Sequence, residues 1–154
     1  MALSARKLVR VSLLVLALLL AGAQFVPLDR TNPPSDPQQH FNVVARPPQA
    51  VASVLQRSCR DCHTNDTTWP WYSRVAPVSF LVVDDVKEGR SHLNFSEWGK
   101  LDARRAARKL EEICDEIKAG NMPERKYTLI HPSAKLTAEE VQTICGWTEQ
   151  VLAK

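Results

Sequence analysis

The 154-residue chain predicts an all-α domain behind an N-terminal export segment. Three observations support that reading. Four segments repeat apolar residues at the three-and-four spacing of a helix face, two of them sit behind capping boxes, and no stretch alternates convincingly as a strand. With 44% apolar and 24% charged residues the chain can bury a core, which excludes wholesale disorder.

The first ten residues carry Arg6, Lys7 and Arg10 and no acid, and Val11 to Ala23 is apolar apart from Ser12. A basic region followed by an apolar one is the pattern of an export signal, and Ala21-Gly22-Ala23 fits cleavage between small residues. The uncharged run continues to Leu28, so an uncleaved segment of residues 11–28 would be a membrane anchor with its basic end in the cytoplasm. Residues 1–26 are therefore expected to be a signal peptide or an anchor, and the remainder to face an oxidising compartment, the periplasmic side of the inner membrane. Residues 27–48 hold Pro27, Pro33, Pro34, Pro37, Pro47 and Pro48. Proline lacks a backbone donor and restricts its predecessor, so this stretch is expected to be a semi-extended linker. His40 is expected to be solvated in it, and Phe41, Val43 and Val44 to make the first contact with the domain.

Residues 49–154 form the domain. The first helix, Pro48 to Ser58, places Val51, Val54 and Leu55 on one face. The second starts at Pro77, places Val78, Leu81, Val82 and Val86 on a stripe, and is expected to stop at Gly89. Asn94 with Glu97 marks the third, whose stripe runs through Ala103, Ala106, Ala107, Leu110, Ile113, Cys114 and Ile117 to Gly120. Thr137 with Glu140 marks the last, with Val141, Ile144, Cys145, Thr148, Val151 and Leu152 on its stripe.

Charge excludes one class of partner. The net charge of +3 equals the three cations of the first ten residues; beyond them acids and bases balance. No basic stripe with interleaved aromatics is present, so nucleic acid is not an expected partner. Arg104, Arg105, Arg108, Lys109, Glu111 and Glu112 form a solvated helix face.

The chemistry lies in Cys59-Arg60-Asp61-Cys62-His63. C-x-x-C-H is the attachment signature of c-type haem. Two thiols three positions apart on a helical turn lie on one side and can add to two vinyl groups. The next residue, His63, can reach the iron from that side. A redox C-x-x-C would need a βαβ setting, which is absent. A zinc site using Cys59, Cys62, Cys114 and Cys145 would need a second close pair, yet the latter two are far apart on helical stripes. For the sixth iron ligand the first candidate is Met122, in a loop between a helix end and Pro123; His92 and His131 are the others.

Three runs then show a family resemblance: Cys59 to Ser79 (CRDCHTNDTTWPWYSRVAPVS), Asp85 to Arg90 (DVKEGR) and Leu93 to Trp98 (LNFSEW). With Met122-Pro123, Tyr127, His131-Pro132 and Lys135 to Thr137, they resemble the bacterial haem-binding domain family related to cytochrome c. The resemblance covers about residues 27–154. It implies a cytochrome c-like helical domain around one covalent haem c, with His63 and Met122 as axial ligands, in a periplasmic or membrane-anchored protein.

On this reading Cys59 and Cys62 bind haem covalently, and Trp69, Trp71 and Tyr72 cover a haem face or edge. A carbonyl of Pro70 or Pro77 is expected to accept the second ring N–H of His63. At most one or two of Arg74, Arg90 and Arg125 are expected to pair with haem propionates, the others being solvated. Cys114 and Cys145, an even remainder in an exported protein, are expected to form a disulfide rather than remain buried thiols. The expected function is one-electron transfer between redox proteins of the periplasm or inner membrane, not catalysis. A second reading keeps the haem but leaves the sixth position open or labile, as in a haem-dependent sensor or small peroxidase. A third is a structural module with no haem.

Overall fold

The computed structural model describes residues 4–153. The first three residues of the basic N-terminal region, and Lys154 at the end of the domain, lie outside the described residues. All regular structure among the described residues is helical: α1 (Ala5–Ala23), α2 (Phe41–Val44), α3 (Gln49–Ser58), α4 (Arg60–His63), α5 (Val78–His92), α6 (Ala103–Lys118), α7 (Arg125–Ile130) and α8 (Ala138–Leu152), with short 3₁₀ turns between some of them. The chain divides into two compact units, one of residues 1–31 with 69–85, the other of residues 32–68 with 86–154.

In the first unit α1 buries none of its residues. It stops at Ala23 because the chain turns there: the N–H groups of Gln24, Phe25 and Val26 donate to the carbonyls of Ala21, Gly22 and Ala23. The uncharged part of the helix, from Val11 to Ala23, is thus about 20 Å long at ~1.5 Å per residue, short of the ~30 Å hydrocarbon layer. Among the described residues no helix is long and apolar enough to cross a membrane, and the uncharged run 11–28 is not one helix. The Gln24 amide clamps the backbone of Ala76, donating from Nε2 to the carbonyl and accepting the N–H at Oε1, both at 3.2 Å. Arg30 Nη1 donates to the Ser73 carbonyl at 3.3 Å.

The second unit holds the core. Leu110, Ile113, Cys114 and Ile117 of α6 face Ile144 and Cys145 of α8, and Val51, Val54 and Leu55 of α3 close the cluster. These are the apolar stripes at helical spacing that drive an amphipathic helix into a core. Thr137 and Glu140 form the expected capping box on α8. Glu140 also pairs with Arg57 of α3 at 2.9 Å, and this bond holds its carboxyl below the usual carboxylate range.

Three expectations need correction. Asn94 caps only a 3₁₀ turn, Phe95–Lys100, accepting from Ser96 N; the long helix α6 is capped by Asp102, which accepts from Arg105 N. Gly89 does not end α5, which continues to His92. Along the stripe of α5 Val86 is buried, but Val78 and Leu81 are exposed, because an amphipathic pattern buries a side chain only where another element covers it. From Asn32 onward the proline-rich stretch belongs to the second unit; of the three residues expected to make its first contact with the domain, Phe41 is buried, while Val43 and Val44 are exposed. Phe41 in it is 1% exposed, with its ring edge-on to Phe95, Trp98 and Trp147.

Cys114 and Cys145 lie at disulfide distance, with sulfurs 2.12 Å and Cα atoms 5.1 Å apart. The bridge joins α6 to α8 across 31 positions. Reducing it is expected to lower stability by about 2–4 kcal/mol, read as a drop in the urea midpoint on adding reductant; an unchanged midpoint would show that the bond adds nothing to the packed stripes.

Candidate functional site

The C-x-x-C-H residues form one tight turn. Cys59 sits between α3 and α4, and its carbonyl accepts the N–H of His63 at 3.0 Å. That closed turn sets Cys59 and Cys62 on one side of the backbone. Both cysteines are half-buried thiols. Burial, followed by the neighbouring Cys62, pushes the Cys59 thiol up to about 12, against the opposing pull of Arg57. A redox-active C-x-x-C needs a ready thiolate, and the surroundings of Cys59 disfavour one. A four-cysteine zinc site is not assembled either. Cys114 and Cys145 are engaged with each other, and among the described residues no group of three or more His, Cys, Asp or Glu could hold a metal ion.

His63 is fixed by backbone that sequence reasoning did not foresee. Its Nδ1 lies 3.0 Å from both the Gly89 and the Leu93 carbonyl. Carbonyls only accept, so Nδ1 carries the proton and donates, and Nε2 keeps its lone pair. The acceptors are therefore on α5 and just beyond it, and not Pro70 or Pro77. Burial holds His63 below the ordinary histidine value; the two backbone bonds oppose this, His92 adds to it, and the Glu124 carboxylate pulls the other way. A neutral imidazole with one nitrogen satisfied and the other bearing a lone pair is the state that ligates iron. The signal for the acceptor was Gly89 itself. A Cβ there would lie 2.7 Å from the Cys62 carbonyl oxygen, and a glycine within a helix can mark such a close backbone approach.

A polar network holds the chain after His63. Arg90, which was a candidate propionate partner, donates from Nε to the Thr64 carbonyl and from Nη2 to Thr67 Oγ1 and Asn32 Oδ1, each at 2.8 Å. Buried Asn65 donates from its backbone to Ser96 Oγ at 3.0 Å and accepts from Asn94 Nδ2 at 2.8 Å. These bonds satisfy polar groups that burial would otherwise penalise.

Met122 is half-buried against the core cluster. Gly120, at φ 73°, adopts the left-handed turn that ends α6, and the N–H groups of Asn121 and Met122 both donate to the Glu116 carbonyl at 3.0 and 3.3 Å. Glu124, two residues on, acts electrostatically on His63, and Tyr127 Oη donates to Asp61 Oδ2 at 3.2 Å. The methionine segment is thus brought to the C-x-x-C-H turn. Of the alternative ligands, His92 is exposed beside Glu88, and the His131 ring stacks on Tyr127 at 4.5 Å. Trp69, Trp71 and Tyr72 belong to the first unit; Trp71 is exposed and meets the Tyr72 ring edge-on at 5.9 Å. Arg74 and Arg125 are also exposed.

No curated protein and no solved structure matches this chain. The model of one family, described as a haem-binding domain, matches residues 18–150. That match spans the C-x-x-C-H turn, the neutral His63 beside it and the methionine segment, and the chain belongs to the haem-binding domain family.

Proposed function

We propose that this domain is a monohaem c-type cytochrome that passes single electrons on the periplasmic side of the inner membrane. The observation behind the reading is the state of His63: neutral, held at Nδ1 by two carbonyls, and next to two thiols on one turn. These residues fit a covalent haem c. Cys59 and Cys62 would hold it through two thioether bonds, each S–H adding across one vinyl group with no leaving group. His63 offers Nε2 to the iron, and Met122 offers its thioether. The bound haem supplies the Fe(III)/Fe(II) couple. The chain's own part is to orient the imidazole, exclude water and hold the methionine; a His/Met pair raises the potential relative to two histidines. The partners are redox proteins of the periplasm or inner membrane. The basic and apolar N-terminal segment supports export, either as a signal cleaved after Ala23 or retained as a membrane attachment.

The test is protein matured in a periplasm with the haem-attachment machinery. Haem should survive denaturing electrophoresis, and the Cys59→Ser/Cys62→Ser double variant should lose all of it. The oxidised protein should show the weak far-red methionine-to-iron band, and Met122→Ala should abolish that band while keeping covalent haem. Haem lost on denaturation would overturn covalent attachment. Identical wild-type and M122A spectra would overturn the methionine assignment.

A further inference from the structure

The short helix after the methionine is lightly held. None of the residues of α7 is buried, and Leu129 and Ile130 are 71% and 56% exposed. A helix with so little covered surface opens locally at small cost. One tie to the rest of the unit is a side chain acting across 66 positions, the Tyr127 hydroxyl on Asp61 Oδ2.

Asp61 is a fixed post. It lies between the two cysteines, its other oxygen Oδ1 accepts the Thr68 N–H at 3.2 Å, and its carbonyl accepts Thr67 Oγ1 at 2.7 Å. Within the segment the Tyr127 ring stacks on His131 with 28° between planes. At the other end of the segment, Asn121 and Met122 hang from the Glu116 carbonyl at the end of α6. The piece from Met122 to His131 is thus hinged at α6 and fastened at Tyr127.

We propose that Tyr127 and Asp61 form a latch that holds the Met122 segment closed on the C-x-x-C-H turn, with Tyr127 as a positioning residue for the sixth ligand. The inference rests on Met122 being that ligand. At 3.2 Å this hydroxyl–carboxylate bond is a long one, of ordinary rather than charge-assisted strength. Losing it increases the fraction of time the segment is open, and the apparent affinity of a competing ligand rises with that fraction.

The experiment uses the full-length protein with covalent haem in its ferric form. Imidazole is the probe, and loss of the far-red methionine-to-iron band is the signal. Tyr127→Phe is expected to bind imidazole about fivefold more tightly than wild type, the factor that one ordinary hydrogen bond is worth. Asp61→Asn should shift in the same direction, and the double variant should be no worse than the more severe single one. A merely structural bond would lower the thermal midpoint and leave the imidazole affinity unchanged, and that result would overturn the latch. Should D61N fail to mature, because the carboxylate also holds Thr68, Y127F decides alone, since it removes only one hydroxyl. Wild-type protein without the far-red band would overturn both the methionine assignment and the latch; a band present with unchanged titrations would overturn the latch alone.

Discussion

Gly89→Ala is expected to destabilise the protein and to cut haem incorporation, although helix propensity alone says the reverse. Within an exposed helix, alanine is favoured over glycine by about 1 kcal/mol. At position 89, however, the new Cβ would lie 2.7 Å from the Cys62 carbonyl oxygen, 3.1 Å from its Cβ and 3.2 Å from its carbonyl carbon. Two of these are backbone atoms of the C-x-x-C-H turn, which cannot rotate away as a side-chain tip can. Overpacking of this kind costs about 1–3 kcal/mol. Pushing the turn off α5 also lengthens the bonds from His63 Nδ1 to the Gly89 and Leu93 carbonyls, and each such bond is worth about 1 kcal/mol. The loss outweighs the propensity gain, and the expected net cost is about 1–3 kcal/mol. Urea unfolding gives the stability, and the ratio of haem to protein after maturation gives the incorporation. A variant stabilised by about 1 kcal/mol with full haem content would show that the turn does not rest on α5.

Phe41→Ala is expected to cost about 3–5 kcal/mol, the range for emptying a buried aromatic site. Phe41 is 1% exposed, with ring centroids 5.0, 4.7 and 5.8 Å from Phe95, Trp98 and Trp147. Edge-to-face pairs of this kind add about 0.5–1.5 kcal/mol each beyond the area they bury. A residue in a free spacer would change stability by no more than about 0.5 kcal/mol, so the urea midpoint separates the two descriptions of residues 32–48. A Phe41→Ala midpoint equal to that of wild type would return this stretch to a linker.

These two substitutions mark the line between what was legible in the residues and what was not. The helix faces of α3, α6 and α8 and the Thr137–Glu140 box could be read directly, because periodicity and capping are local properties of the chain. The C-x-x-C-H turn was legible for the same reason: three reactive side chains within five positions define their own spacing. The pairing of Cys114 with Cys145 followed from compartment and count.

The misreadings concern groups joined only in three dimensions. Phe41 reads as a first contact with the domain, as the structure has it, but no local pattern says that three aromatic rings from other elements will enclose it. Gly89 looked like a helix stop, because the same residue serves a terminus and a close approach; only the position of Cys62 decides between them. The acceptors of His63 are backbone carbonyls, which every residue possesses, so composition cannot point to Gly89 and Leu93. α7 has no buried face and hence no stripe to read. The sequence by itself determined the helical class and the two thiols with the histidine beside them, since those depend on residue identity and short spacing. The tertiary structure alone decided the proton position on His63, the docking of residues 32–48 and the tie from Tyr127 to Asp61, because hydrogen bonds and burial depend on distances between atoms that the chain order leaves far apart.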